Sequence, residues 1–189
     1  MFARTQRLLL RPGWPEDAVV LQAAIADQAI IRNTSRIPWP YELKDAEEFL
    51  SSGWNPVEPK FLIFNRTKGA PRLVGGCGIQ STDDGRKELG YWIARPFWGL
   101  GFATEAAGAV MQIARATGLN SVFARHTVDN PASGRVLRKI GFHPTGRTQM
   151  AFSPSRGFEV ETVLYEDSGI VPMHSDTSHE LYEDQPVAA

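Results

Sequence analysis

The stretch FWGLGFATEA, residues 97–106, places two glycines one residue apart, directly before an alanine-rich segment. Glycine is a poor helix residue, and it serves where the backbone turns left-handed or where a ligand approaches closely. The preceding segment, KELGYWIA at 87–94, alternates like a strand, and the following segment has helical periodicity. A strand, closely spaced glycines and a helix together predict a phosphate-binding turn. The alternative is a tight turn that binds no ligand.

Two other nucleotide-binding motifs that use glycines fit this stretch poorly. A P-loop would continue with Gly-Lys-Ser/Thr, whereas Phe102, Ala103 and Thr104 follow here. A dinucleotide-binding turn would have an acidic residue about 20 positions later, at the end of the next strand. The strand SVFAR at 121–125 has no acid at its end. A nucleoside-triphosphate site and a nicotinamide site are therefore disfavoured, and nicotinamide binding would be the test for an oxidoreductase.

The remaining patterns predict a single α/β domain over residues 1–167. Six to seven strands alternate with about four helices along the chain. The strand segments are RLLLR at 7–11, KFLIFNR at 60–66, RLVGGCGIQ at 72–80, KELGYWIA at 87–94, SVFARHTV at 121–128, TQMAF at 148–152 and GFEVETVLYE at 157–166. Residues 168–189 are polar and acidic without Lys or Arg, which is typical of a loosely attached C-terminal tail, although docking on the domain or on a neighbour stays open.

Composition excludes several classes of function. The formal net charge of −1 gives no basic field that would favour nucleic acid or an anionic membrane. No apolar run approaches the roughly 20 residues that span a bilayer. The N-terminal stretch MFARTQRLLLR has only three consecutive leucines between arginines, so we expect a strand there and no export signal.

The cysteine and histidine content bears on location and on metal binding. Cys77 is the single cysteine of the 189 residues, which excludes an internal disulfide and suits a reducing cytoplasm. The flanking glycines predict that it is a buried core residue and not a nucleophile. The four histidines are scattered without partners at ligand spacing, so we expect no metal site. The sequence leaves the oligomeric state, a homodimer included, open.

Three segments in order resemble one family. They are RTQRLLLRPGWPEDA at 4–18, ELGYWIARPFWGLGFATEA at 88–106 and VDNPASGRVLRKIGF at 128–142. They are similar to the GNAT superfamily of N-acetyltransferases, and specifically to its ribosomal-protein N-terminal acetyltransferase branch (RimJ/RimL type). Trp98 departs from the general superfamily pattern, which often has Gln or Arg there, but tryptophan is usual in this branch. The resemblance implies the GNAT fold: a mixed, mostly antiparallel, bent sheet that splays between its central strands.

The resemblance also implies how acetyl-coenzyme A is held. The pyrophosphate would rest on the amides from Trp98 to Thr104, and the pantetheine arm would add to YWI at 91–93 like a further strand. This arrangement needs a slot between YWIA and SVFARH. The residues implied in coenzyme binding are Trp92, Ile93, Trp98, Gly99, Leu100, Gly101, Phe102, Ala103, Thr104, Asn130 and Ser133.

Transfer of an acetyl group to an amine requires the amine to be neutral. An α-amine has a pKa of about 7.7–8.0 and a lysine side chain one of about 10.4, so an N-terminal acceptor demands little of a base. By resemblance Glu88 is the candidate base, acting through water, and it also belongs to the acceptor site. The alternative is a solvated glutamate beside Lys87. Glu105, in the first turn of the helix, is interpreted as structural and complementary to the helix dipole.

The segment from Asn130 onward carries two further candidates. By resemblance, Asn130 hydrogen-bonds the pantetheine and Ser133 is a proton donor to the departing thiolate. Helix capping by Asn130 would explain that residue equally well, and both roles are compatible. A basic cluster, consisting of Arg135, Arg138 and Lys139, either meets the 3′-phosphate of coenzyme A or is a solvated helix face.

Trp39 and Tyr41 are the candidates for the acceptor wall. They lie in a proline-containing loop where the first two helices of the family enclose the acceptor, and the alternative for Trp39 is a hydrophobic plug over the core.

The sequence thus predicts a metal-free, cytoplasmic acetyltransferase that transfers acetyl directly to a primary amine without a covalent acyl-enzyme. The expected acceptor is a protein or peptide α-amine. A small amine, such as an antibiotic, a polyamine or an amino-acid derivative, stays open. A non-catalytic acyl-coenzyme-A-binding module is the rival from another class, and it could dispense with Glu88 and Ser133.

Overall fold

A computed structural model describes residues 1–52, 55, 58–67, 69–167 and 169, together with the backbone of 181–182. One sheet of nine strands runs through it in the order β7-β8-β6-β5-β4-β3-β2-β1-β9. The strands are β1 Phe2–Arg4, β2 Leu8–Arg11, β3 Lys60–Asn65, β4 Arg72–Ser81, β5 Lys87–Ile93, β6 Val122–Thr127, β7 Phe142–Ser153, β8 Phe158–Asp167 and β9 Leu181–Tyr182. All pairs are antiparallel except β5 with β6, so the predicted mixed, mostly antiparallel sheet is confirmed.

Five α-helices accompany the sheet within the described ranges. They are α1 Ala18–Ile25, α2 Gln28–Ile31, α3 Leu43–Ser51, α4 Phe102–Ala116 and α5 Pro131–Lys139. One hydrophobic core lies between the sheet and α4 with α5, and it includes Val110, Met111 and Leu137. A second core lies under α1–α3 and includes Leu21 and Leu62. The sheet therefore separates a helix pair that begins at the glycine turn from a group of three helices on the other side.

The structure differs from the sequence expectation in helix α2 and in the start of strand β7. Helix α2 has four residues, too few for a visible period, and it begins where the Asp27 side chain accepts from the Ala29 amide at 2.8 Å. Strand β7 begins at Phe142 and not near 148, because its pairing with β8 shifts register between Pro144 and Thr148. Such an irregularity interrupts the alternation that sequence patterns reveal.

The N-terminal strand β1 and the short β9 account for the two strands beyond the expected number. In β9, Tyr182 pairs with Phe2 and Leu181 with Ala3, so this part of the C-terminal segment docks on the domain itself. The rest of the predicted tail, apart from residue 169, lies outside the described residues.

A partly buried carboxylate, that of Glu105, connects the start of α4 to the N-terminal strands. Glu105 accepts hydrogen bonds from the Thr5 hydroxyl, from the Arg7 amide at 2.8 Å and from the Arg7 Nε at 2.7 Å. The Arg7 Nη1 donates in turn to the Leu100 carbonyl at 2.9 Å. Glu105 therefore holds the glycine turn from behind, in agreement with its interpretation as a structural residue.

Replacing Glu105 with alanine is expected to lower the free energy of unfolding by about 2–3 kcal/mol. The change removes all the hydrogen bonds that Thr5 and Arg7 donate to this carboxylate. Denaturant unfolding measures the change. Glu48→Ala is the matched control, since Glu48 forms only an exposed ion pair with Lys44 at 3.5 Å, worth about 0.5 kcal/mol. Equal losses for the two variants would contradict the anchoring role.

Candidate active site

A cavity of about 930 Å³ follows the junction of β5 and β6 and opens toward both helical groups. The two strands pair only at their beginnings, through Lys87 with Val122 and Glu88 with Phe123. Beyond these pairs β6 remains bonded to β8, and β5 remains bonded to β4. The described residues therefore confirm the predicted splay: from Leu89 to Ile93, the side of β5 that faces β6 has no strand partner.

The glycine turn leaves a row of unpaired amides at one end of this gap. Gly99 and Gly101 adopt the left-handed conformation, with φ of +76° and +81°. Gly101 is the N-cap of α4, and no side chain caps the helix there. The first helix amide with a partner is that of Glu105, which donates to the Gly101 carbonyl at 3.1 Å. Within the part of the chain described, the amides of residues 99–104 donate no hydrogen bond and suit an anion.

The predicted row of free amides is one residue too long at its start, because the Trp98 amide has a partner. This amide donates to the Arg95 carbonyl at 3.2 Å within a short 3₁₀ turn, so the row begins at Gly99. The Trp98 indole Nε1 donates to the Ile93 carbonyl at 2.6 Å and bridges the turn to the end of β5. The Trp98 side chain thus links the turn to the end of β5.

Most residues predicted to bind the coenzyme line the cavity. Leu100 is the exception: its side chain is half exposed and lies outside the cavity wall, so only its amide can serve. Trp92 reaches its position because Gly76 on β4 has no side chain, and a Cβ there would lie 2.6 Å from the indole Nε1. The lining members of the predicted set are Trp92, Ile93, Trp98, Gly99, Gly101, Phe102, Ala103, Thr104, Asn130 and Ser133.

Asn130 and Ser133 stand where α5 meets the cavity. The Asn130 Oδ1 accepts from the Ser133 amide at 3.4 Å, which shows the capping role that the sequence left open. No hydrogen bond of the Asn130 Nδ2 occurs among the described residues, so capping leaves the donor half of the side chain free for a ligand. Both roles of Asn130 are therefore compatible with the geometry.

Tyr91 is a residue of the site that the sequence analysis did not identify. Its hydroxyl lies 2.8 Å from the Ser133 Oγ and 3.2 Å from the Ser133 carbonyl oxygen, and its one proton can be donated to either of them. Burial raises the pKa of Tyr91 well above the ordinary value of 10. The alternation of β5 places this side chain on the core face, and nothing in the sequence shows that its hydroxyl reaches the next helix.

Glu88 is buried in the cavity wall at 4% exposure, so the alternative of a solvated surface glutamate is wrong. The Arg125 Nε donates to Oε1 at 2.8 Å, while Arg125 Nη2 and Arg36 Nη2 each donate to Oε2 at 3.4 Å. Arg125 belongs to β6, so this ion pair joins β5 and β6 at the point where their pairing ends. Neither arginine was identified from the sequence, because each needs the tertiary fold to meet Glu88.

Tyr41 and Trp39, the two residues predicted for the acceptor wall, differ in whether they line the cavity. Tyr41 lines the cavity and is 8% exposed. Burial, with the nearby Asp45 carboxylate, raises the pKa of Tyr41 to about 12, so its hydroxyl stays protonated. Trp39 is 40% exposed and does not line the cavity, whereas its neighbour Pro38 does. The structure therefore places Tyr41 in the cavity wall, and it places Trp39 neither there nor in the core, while a role in acceptor binding stays a prediction.

Comparisons with known proteins agree with this geometry. The family described as "Acetyltransferase (GNAT) domain" matches residues 7–143, more than half of the chain. The chain belongs to the GNAT acetyltransferase family. The uncharacterized N-acetyltransferase p20 of Bacillus licheniformis is 28% identical over 148 residues, which cover 75% of this chain and 82% of that protein.

Two solved structures share the fold of this GNAT acetyltransferase. The microcin C7 self-immunity acetyltransferase MccE, in complex with acetyl-CoA and AMP, superposes with a TM-score of 0.70 at 20% identity, covering 86% of this chain and 92% of that one. RimL, a ribosomal L7/L12 α-N-protein acetyltransferase in complex with coenzyme A, has a TM-score of 0.69 at 19% identity, covering 85% and 93%. At these identities the likeness concerns the fold.

The basic cluster on α5 of the acetyltransferase divides into two parts. Arg135 and Lys139 line the cavity, as a contact with a coenzyme phosphate would require. Arg138 does not line it, and its Nη1 donates to the Tyr165 hydroxyl at 2.9 Å. Only two of the three basic residues therefore remain candidates for the 3′-phosphate.

Cys77 and His126 are two further residues with reactive side chains in the cavity wall. Cys77 is a buried core residue, as predicted, and burial raises the pKa of its thiol. The His126 Nδ1 lies 2.8 Å from the Thr127 carbonyl, to which it must donate, since a carbonyl only accepts. Its Nε2 faces Gly134, where a Cβ would lie 2.6 Å away, so glycine allows α5 to approach β6.

Among the residues that the structure describes, no group of three or more His, Cys, Asp or Glu side chains could hold a metal ion. The helices within the same ranges include none with the length and apolar character needed to cross a membrane.

Asp129, just before α5, is tied both to the turn between β7 and β8 and to the end of α2. Asp129 accepts from Arg156 Nη1 at 2.8 Å, from Arg156 Nη2 at 3.0 Å and from Arg32 Nη2 at 3.0 Å. Arg156 lies in the turn between β7 and β8, and Arg32 follows α2. These guanidinium groups, Arg156 first, hold the pKa of Asp129 well below its ordinary value of 3.8. We call this group the Asp129 clasp.

The Asp129 clasp is expected to give a pH-dependent contribution to stability. Because the pKa of Asp129 is lowered in the folded state, its contribution is fully present above about pH 5. It begins to decrease near pH 3.8 and is lost only as the pH falls through the lowered pKa of the folded state. Replacing Arg156 with alanine should lower Tm by about 1–3 °C between pH 5 and 8, and the difference should become smaller as the pH falls from 3.8 toward 2. Arg147→Ala, an exposed change on β7, is the control. A difference that persists unchanged at low pH would contradict the clasp.

Proposed function

We propose that this acetyltransferase transfers the acetyl group of acetyl-coenzyme A directly to a primary amine, with an α-amine at a protein or peptide N-terminus as the preferred acceptor. The observation that carries the proposal is the row of unpaired amides at residues 99–104, placed beside the gap between β5 and β6. The row suits a diphosphate at a helix N-terminus, and the gap suits the arm that carries the thioester.

The residues along the gap fit the coenzyme in order. From the amide row, the arm would follow the unpaired side of β5 and pass the free donor of Asn130. Its thioester would then lie near Ser133, with Arg135 and Lys139 available to the 3′-phosphate. The coenzyme would supply the activated acetyl group, and the chain would orient it and shield it from water.

Glu88 is proposed to receive the proton of the amine through a water molecule. A carboxylate has about four acceptor positions, and three contacts from Arg125 and Arg36 occupy part of them. A position on Oε1 remains for water. An α-amine, whose pKa is about 7.7–8.0, needs only such modest help, and this favours it over a lysine side chain.

The experiment is thiol release from acetyl-coenzyme A in the presence of matched amines: a short peptide with a free N-terminus, the same peptide with a blocked N-terminus and one lysine, and a set of small amines. The free N-terminal peptide should be acetylated fastest, with a rate that rises up to about pH 8 and then levels off. No thiol release with any amine, under conditions where the coenzyme binds, would refute the transfer reaction and favour the binding module considered from the sequence.

A small-molecule amine is the second candidate acceptor, and the Asp129 clasp is the observation that favours it. The clasp joins the β7–β8 turn to the end of α2. Thr34 beside α2 and Phe152 before the turn both line the acceptor side of the cavity. If these contacts close the cavity between α2 and the β7–β8 turn, a compact amine would enter it more readily than the N-terminus of a folded protein. Faster acetylation of small amines than of every peptide would select this candidate.

A further inference from the structure

We propose that Tyr91 is a positioning residue for the acetyl transfer, holding the Ser133 hydroxyl in the orientation that donates a hydrogen bond to the departing sulfur. The inference rests on the proposed function, because it concerns the step in which the thioester breaks. It adds to the site a residue that reaches Ser133 from the opposite side of the gap.

The contact between Tyr91 and Ser133 crosses the open part of the site. Tyr91 belongs to β5 and Ser133 to the first turn of α5, which packs against β6. Both side chains line the cavity, with 2.8 Å between the two hydroxyl oxygens. The Ser133 backbone is fixed separately, because its amide donates to the Asn130 carbonyl at 3.1 Å. Tyr91 is thus placed to set the rotation of the Ser133 hydroxyl.

The surroundings of Tyr91 keep its phenol protonated. The ring packs against the core cluster that includes Cys77 and Tyr165, and burial raises its pKa. A neutral phenol of this kind is a far weaker acid than a thiol, whose ordinary pKa is about 8.5. Tyr91 therefore keeps its proton and is able to donate a hydrogen bond to the Ser133 Oγ.

While the thioester breaks, each hydrogen bond of the chain is donated toward the sulfur atom, from Tyr91 to Ser133 and from Ser133 to sulfur. The amine nitrogen forms its bond to the acetyl carbon, the carbon–sulfur bond breaks, and the electron pair of that bond goes to sulfur. In the proposed step the one phenolic proton of Tyr91 points to the Ser133 Oγ, the nearer of its two acceptors, at 2.8 Å against 3.2 Å for the Ser133 carbonyl. The Ser133 hydroxyl then donates to the negative sulfur, and donors in such a chain strengthen one another. The proton of the amine passes through water to Glu88, and the thiolate leaves and takes a proton from solvent.

The experiment is a double-mutant cycle of Tyr91→Phe and Ser133→Ala on the full chain, with kcat, KM for acetyl-coenzyme A and coenzyme Kd measured for each protein. We expect Tyr91→Phe to lower kcat about tenfold, Ser133→Ala to lower it about 30-fold, and the double variant to match Ser133→Ala alone. KM and Kd should stay within about threefold, since the contact matters after binding.

Tyr165→Phe is the matched control. It removes another buried tyrosine hydroxyl, which accepts from Arg138 and lies outside the cavity wall, so kcat should remain within about twofold. A merely structural role for Tyr91 would lower kcat by the same factor with and without Ser133, and that result would overturn the inference. Unchanged kcat in Tyr91→Phe would overturn it as well. A wild-type protein that releases no thiol with any amine would instead refute the proposed function.

Discussion

Replacing Gly101 with valine is expected to raise the Kd for coenzyme A about 100-fold, equivalent to about 2.8 kcal/mol. Gly101 has φ of +81° and is the N-cap of α4. A β-branched residue strongly disfavours this left-handed conformation. Its Cβ would also lie 3.4 Å from the Arg7 Nη2, which holds the turn from behind. The turn would have to change shape, and the amides of residues 99–104 would no longer converge.

Gly118→Val separates this effect from backbone strain. Gly118 has φ of +77° just beyond the other end of α4, and a Cβ there meets nothing within 4 Å. The variant should lose about 1–2 kcal/mol of stability and keep the wild-type Kd for coenzyme A. Titration calorimetry measures the Kd, and denaturant unfolding measures the stability. Equal Kd values for Gly101→Val and the wild-type protein would show that the coenzyme binds elsewhere.

Replacing Glu88 with glutamine is expected to lower kcat about 100-fold with an α-amine acceptor, within the range attributed to general acid–base catalysis. The Kd for coenzyme A should change less than threefold, because Glu88 lies at the base of the gap, away from the amide row. The variant keeps the shape of the side chain but leaves Arg125 and Arg36 without their carboxylate partner. Steady-state thiol release gives kcat, and calorimetry gives Kd.

Glu58→Gln is the control for losing a carboxylate beside the same strands. Glu58 accepts from the Ser81 amide at 3.1 Å and from Lys87 Nζ at 3.3 Å, outside the cavity wall. Its replacement should leave kcat within about twofold. A Glu88→Gln variant with wild-type kcat would remove Glu88 from the chemistry and leave its ion pair with Arg125 as a clasp between the strands.

The glycine turn and the start of α5 could be predicted from the sequence because their signals are local. Two glycines between a strand and a helix predict the amide row, and Asn130 followed by Pro131 predicts the cap of α5. Both features depend on backbone conformation over a few neighbouring residues. Trp98 differs only in that a short 3₁₀ turn takes its amide.

The remaining parts of the site depend on contacts between distant residues. Arg36 lies in a loop, and its meeting with Glu88 is visible only after β4 and β5 are paired. The side-chain alternation of β5 places Tyr91 correctly on the core face, but alternation cannot tell how far a hydroxyl reaches. Trp39 was predicted to line the site and does not, because the loop places its neighbours Pro38 and Tyr41 in the cavity wall.

The most direct test of the central claim is a titration of ¹⁵N-labelled protein with coenzyme A, following the backbone amide signals. We predict saturable binding with the largest shifts at residues 99–104, smaller shifts along Tyr91–Ile93 and at Asn130, and little change at Gly118. Binding that leaves the signals of residues 99–104 in place, or no binding at millimolar coenzyme A, would contradict the claim that these amides hold the diphosphate.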